Sequence, residues 1–185
     1  MALPEHPLTH WPANHRGAAL IALSIASAIP LIFNAALQPL GSEDIVAFEL
    51  AGSVSRTEEI LAAWRAEEVI DVAKGIQLAD IVYPFIYALA IAGGCVGAAA
   101  AWARAGNARM ANAMNVLAWV ATSAIVFDYA ENLGLAVSLW GTPASPWPEL
   151  ALVMALLKFA AILAGLAGVL SWPLSRLAAR GPAPT

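Results

Sequence analysis

Apolar positions in this chain run continuously, without period-2 alternation, over stretches long enough to cross a bilayer. A hydrocarbon core about 30 Å thick needs roughly 20 apolar residues of helix. Four stretches meet that length: 17–37, 76–103, 111–140 and 150–172. They are rich in Ala and Leu, both good helix formers, and lack the alternation of barrel strands. Residues 1–16 and 173–185 read as polar tails, and 38–75 as a long connection. Within that connection, Ser55-Arg56-Thr57-Glu58 has the S-x-x-E form of a capping box. Lys74 and Gly75 suit a last-turn cation and a C-terminal cap. Ala62, Ala63, Ala66, Val69, Ile70 and Ala73 form an apolar stripe at helical spacing. The pattern predicts an amphipathic helix over about 56–74, with Trp64 as an interfacial anchor. The fold class expected is therefore all-α: one polytopic membrane domain, four transmembrane helices plus an outer amphipathic helix between the first and second.

Composition agrees. Of 185 residues, 61% are hydrophobic and 12% charged, against about 45–50% and about 25% in an ordinary soluble domain. A net charge of −4 argues against a nucleic-acid partner. The single cysteine, Cys95, excludes a disulfide framework and a Cys-ligated metal cluster.

Basic residues set the orientation. Arg16, the pair Arg104 and Arg109, and the pair Arg176 and Arg180 flank the same side of the spans. In the first connection Arg56, Arg65 and Lys74 are diluted by Glu43, Asp44, Glu49, Glu58, Glu59, Glu67, Glu68 and Asp71. Residues 141–149 carry no Lys or Arg. Both termini are expected in the cytoplasm, and the protein in the inner (plasma) membrane. A signal peptide competes for the first span through Arg16 and Ala26-Ser27-Ala28, but the apolar run continues through Phe33.

Four ionisable residues interrupt the spans: Asp80, Asp128, Glu131 and Lys158. Counted at about 1.5 Å per residue, each falls about 6–18 Å from the outer end of its span. Charge in lipid costs about 2.5–3.5 kcal/mol per residue, so such groups face the bundle interior and mark function by default. Asp128, Glu131 and Asn132, at i, i+3 and i+4, share a helix face. Asp80, Pro84 and Tyr87 share another, with Tyr83 beside them. Pro84 lacks an N–H, leaving the Asp80 carbonyl without a helical partner. Pro30 does the same one turn from Asn34. Lys158 can neutralise one carboxylate, as a buried pair that fixes helix register. Of Asp80, Asp128 and Glu131, at least one then carries a proton near neutral pH, or the set binds a cation. A structural hydrogen-bonded knot is the alternative to a functional site.

Other features point to packing. Gly93-x-x-x-Gly97-x-x-x-Ala101 and Ala160-x-x-x-Ala164-x-x-x-Gly168 are small-residue stripes. They suit close packing within the chain, or a homo-oligomer through Gly93, Gly97 and Gly168. Cys95 reads as a small core residue. His6, His10 and His15 lie in a Pro-containing tail that reads as disordered, and no span contains histidine, so no metal site or cofactor is expected. Trp140, Trp147 and Trp172 fall at span boundaries, as belt residues do.

Trp64, then Asp80-x-x-Tyr83-Pro84-x-x-Tyr87, then Asp128-x-x-Glu131-Asn132 resemble a pattern in small bacterial four-helix membrane proteins of unassigned activity. The resemblance covers roughly the middle half of the chain. It implies the four-span architecture and the same polar residues, and it carries no reaction. A more distant analogy, in architecture alone, is to four-helix sterol isomerase and sigma-2-like proteins.

These readings converge on an outward-facing acidic pocket for a lipid-like or amphiphilic ligand, cationic or neutral. Asp80, Tyr83, Tyr87, Asp128, Glu131, Asn132, Lys158 and Asn34 are the candidate ligand-binding residues. Three alternatives stay open. One is an acid–base enzyme, isomerase-like, with Asp128, Glu131 and Asp80 as catalytic residues. The others are a proton-coupled oligomeric transporter and a non-catalytic partner subunit. Membrane lipid is the expected surrounding partner.

Overall fold

The computed structural model describes residues 4–11, 18, 20–28 and 39–178, the side chain of 176 excepted. Among these residues the fold is all-helical. A short 3-10 turn, Pro7–His10, precedes α1 (Ser42–Glu49), α2 (Val54–Ala66), α3 (Ile70–Ala79), α4 (Tyr83–Arg104), α5 (Ala108–Trp140), α6 (Trp147–Leu170) and α7 (Trp172–Ala178). Residues 20–28 are also helical. The first expected span, 17–37, lies largely outside the described residues, as do Pro30 and Asn34.

Three helices among the described residues are long and apolar enough to cross a membrane: Tyr83–Arg104, Ala108–Trp140 and the continuous stretch Trp147–Ser175. They mark the chain as a membrane protein. Their packing is inverted relative to a soluble bundle. Ala88, Ala92, Ala98, Ala118, Ala121, Ala124, Ala155 and Ala161 are buried, while Val126, Leu163 and Leu170 are exposed. Small residues inside let backbones approach, and the large side chains cover the outer surface, as lipid requires. The widest interfaces are α5 with α6 and α4 with α5.

Local chemistry ends each helix. Gly106 (φ 76°) takes the left-handed conformation after α4, and the Asn107 N–H reaches back to the Trp102 carbonyl at 3.0 Å. The Asn107 side chain then caps α5 by accepting from the Met110 N–H at 3.0 Å. At 33 residues, α5 is about 50 Å long and outruns the bilayer core.

The connection before α4 differs from the sequence expectation. The helix expected over about 56–74 is two helices, preceded by a third, α1. Its cap is Ser53, whose Oγ accepts from the Arg56 N–H at 3.3 Å, and not Ser55. α2 stops where Glu68 adopts φ 59° and the Val69 N–H bonds to the Trp64 carbonyl at 2.9 Å. α3 then runs past Lys74 and Gly75 to Ala79, because Gly75 stays helical with φ < 0. The span drawn from 76 is likewise interrupted. Residues 80–82 form a turn, and α4 opens at Tyr83 with Pro84 in its first turn, where no N–H is needed.

The buried face of α2 is also different. Ala62, Ala63 and Ala66 are exposed, while Thr57, Ile60, Leu61 and Trp64 are buried. Trp64, 4% exposed, packs its ring 5.1 Å from Phe48. It is a core residue and not an interfacial anchor. With Leu40, Leu61, Val69 and Ala73 it forms one apolar cluster with Leu135 and Leu139 of α5 and Ala151 of α6. Helices α1–α3 are thus a cap packed onto one end of the long helices.

Two further expectations are corrected. The buried stripe of α6 is Ala151, Ala155, Lys158, Ala161, Gly165 and Gly168, not Ala160-Ala164-Gly168; Ala160 is exposed. Gly168 faces Cys95 and Leu117 within the chain, and only Gly97 of the named glycines faces open space. The segment holding His6 is ordered. His6 is 3% exposed, its N–H donates to Asn115 Oδ1 at 2.9 Å, and its Nε2 lies 3.0 Å from Thr122 Oγ1. Its ring meets Trp119 edge-on at 4.8 Å. The Pro4 carbonyl accepts from Asn115 Nδ2 and Trp119 Nε1, each at 3.0 Å. His15 lies outside the described residues.

Candidate functional site

The site forms where the cap meets the long helices. On α5, Asp128, Glu131 and Asn132 follow helical spacing and point the same way. On α6, Lys158 belongs to the buried small-residue stripe, so its long side chain fills space that Ala155 and Ala161 leave. On the cap, Glu49 is the last residue of α1 and Asp80 the residue that closes α3.

Lys158 Nζ is the hub. It lies 2.7 Å from Glu131 Oε2, 3.3 Å from Glu49 Oε1 and 3.8 Å from Asp128 Oδ2. Lys158, Asp128 and Glu131 are 4%, 2% and 0% exposed. The Lys158 ammonium donates to Glu131 Oε1 at 2.8 Å, and Glu49 and Asp128 add negative charge at longer range. The charge does not balance, because one cation meets three acids. Glu49 Oε2 and Glu131 Oε2 are both buried without a hydrogen-bond partner. Burial pushes the Glu49 carboxyl above its ordinary range, against the pull of Lys158. Lys158 also sits 4.9 Å from the centre of the Phe159 ring.

A second network runs through Asn132. Its Nδ2 donates to Asp80 Oδ2 at 2.9 Å and to Asp128 Oδ1 at 2.8 Å, and its Oδ1 accepts from Gln77 Nε2 at 2.6 Å. One amide therefore bridges two carboxylates from separate helices. Tyr87 completes Asp128 by donating to Oδ2 at 2.6 Å. Tyr83 donates to the Ser27 carbonyl at 3.0 Å, and its ring stands edge-on to Tyr87 at 5.4 Å.

A cavity of about 420 Å³ opens beside this cluster. Glu49, Asp80, Asp128, Lys158, Gln77, Tyr83 and Tyr87 supply its polar wall. The remaining wall is mostly apolar and includes Val46, Phe48, Trp64, Ile76, Ile86 and Phe159. Among the described residues, no group of three or more His, Cys, Asp or Glu is arranged to hold a metal ion.

The structure brings together Asp80, Tyr83, Tyr87, Asp128, Glu131, Asn132 and Lys158. Glu131 sits behind the cavity wall, held by Lys158. Asn34 lies outside the described residues. Sequence reasoning missed Glu49 and Gln77. Both belong to the polar connection, where a carboxylate and an amide look like ordinary surface residues. Their one signal is position, Glu49 at the end of an apolar run from Ile45 and Gln77 one turn before Asp80.

No protein-family model, curated protein or solved structure matches the chain.

Proposed function

We propose that this chain is a four-span inner-membrane protein whose pocket binds a lipid-like or amphiphilic ligand from the outer side. In this reading residues 17–37 form the first span, α4, α5 and α6 the other three, and both termini are cytoplasmic. The cap α1–α3 lies on the outer face, in the place assigned to the amphipathic helix. Asp80 and Asp128 contact the ligand's polar end, Asn132 and Tyr87 hold them in place, and Lys158 with Glu131 tunes the charge.

The observation that carries the reading is the cavity's two-sided wall, apolar along most of its surface and acidic at one edge. Small-molecule pockets of about 300–1,000 Å³ combine an apolar lining with a few convergent polar groups. This one lies between a soluble-type cap and lipid-facing helices, where an amphiphile partitions.

Native mass spectrometry of protein released from nanodiscs tests the reading. Wild type retains small amphiphile adducts. Ile86→Trp, which fills the cavity from its apolar wall, loses them while folding normally. Identical adduct patterns in the two proteins would overturn the proposal.

A further inference from the structure

Asp80 differs from the other acids of the site. Glu49, Asp128 and Glu131 all reach Lys158 Nζ within 4 Å. Asp80 makes no ion pair among the described residues, and its hydrogen bond is to the neutral Asn132 amide. It lines the cavity and is only partly buried. A carboxylate beside an apolar cavity without a counter-charge is costly unless something else supplies one.

An independent observation points the same way. Glu49 is 8% exposed and lines the same cavity, yet its Oε2 has no hydrogen-bond partner. A buried acceptor left without a donor costs about 1–3 kcal/mol. The polar edge thus lacks two things, a positive charge near Asp80 and an N–H or O–H donor for Glu49. Both acids belong to the cap, and Asp80 places like charge beside Glu49.

We infer that the pocket selects an amphiphile with a primary ammonium head group and a single hydrocarbon chain. Such a head group supplies both missing features at once: a full charge and three N–H donors. Tyr83, Tyr87 and Phe48 add ring surfaces to the cavity wall, which a cation prefers to saturated side chains. The chain lies along Val46, Ile76, Ile86 and Phe159. At about 420 Å³ the cavity has room for one such chain.

This inference rests on the amphiphile-pocket reading and is separable from it by a charge comparison. Protein in zwitterionic nanodiscs is titrated with decylammonium and, separately, with decanol, at equal mole fraction in the bilayer. The readout is the rise in unfolding midpoint that ligand binding produces. Decylammonium should bind wild type about tenfold more tightly than decanol. Asp80→Asn keeps an oxygen acceptor for Asn132 and should reduce that ratio to about one. Equal affinity for the two probes in wild type would overturn the ammonium inference and leave the amphiphile pocket standing. Binding of neither probe would overturn both. An unchanged ratio in folded Asp80→Asn would remove Asp80 from the role; the wild-type comparison stands whether or not that variant folds.

Discussion

Lys158 Nζ lies 2.7 Å and 2.8 Å from the two carboxyl oxygens of Glu131, a side chain with no exposed surface. The pair sits among small residues in the centre of the α5–α6 interface. Removing one partner of a buried pair strands the other, at about 3–5 kcal/mol. Lys158→Met should therefore lose about that much stability, read as a shift in the denaturing-detergent midpoint. Adding Glu131→Gln to the same chain should recover part of the loss, because one of the stranded charges, the most deeply buried, is gone. A double variant as unstable as the sum of the singles would disprove the coupling.

Asn132 spends both amide hydrogens on carboxylates and its oxygen on Gln77. Asn132→Leu leaves Asp80 and Asp128 facing each other without a donor between them. A destabilisation of about 1–3 kcal/mol is expected. Gln77→Leu removes one bond at the edge of the network and should cost less. Thermal midpoints of the two variants give the order.

His6 makes the docking of residues 4–11 pH-dependent. Burial lowers its pKa from the ordinary 6.5, so the docked state favours the neutral ring. No ion pair or carboxylate bond to the ring is present among the described residues; its neighbours are Asn115, Trp119 and Thr122. Docking is then fully stabilised above pH 6.5 and weakens as pH falls below that value. Hydrogen-exchange protection of the His6 amide, which is bonded to Asn115, should decline over that window. His6→Ala should show weaker protection at every pH and no such decline. Protection that is constant from pH 8 to about 5 would contradict the linkage.

Glycines at the helix interfaces are not equivalent. A Cβ on Gly165 would lie 2.5 Å from Ile91 Cγ2 and 3.0 Å from Ala121 Cβ, whereas one on Gly97 meets nothing within 4 Å. Gly165→Val should cost about 1–3 kcal/mol through overpacking. Gly97→Val should leave the folded yield unchanged. Comparable losses at both positions would mean that Gly97 is covered by a partner copy.

Much of this was legible in the chain. Long apolar runs marked α4, α5 and α6, and the i, i+3, i+4 spacing placed Asp128, Glu131 and Asn132 together, because span length and helical period are local properties. Cap detail was not local. Ser53 and Ser55 are equally good caps on paper, and the choice fell to where the apolar face of Ile60, Leu61 and Trp64 had to point. Glu68 occupies a left-handed position that usually selects glycine or asparagine, so no residue type announced the break between α2 and α3. His6 and Glu49 were misread for one reason. Each is a polar residue in a segment outside the long apolar runs, and its burial depends on a partner more than a hundred residues away in the chain, Thr122 for His6 and Lys158 for Glu49.

The placement of Lys158 sets an order of events. Glu49, Asp128 and Glu131 all precede it in the chain. Each of these acids emerges during synthesis before the cation that they surround. Until α6 inserts, the acids on α5 have no buried counter-charge, and the cap has no charged anchor. The last long helix is therefore the closing piece. A chain interrupted before residue 158 would hold these acids without their buried counter-charge, which gives a quality-control system a feature by which to distinguish unfinished molecules from finished ones.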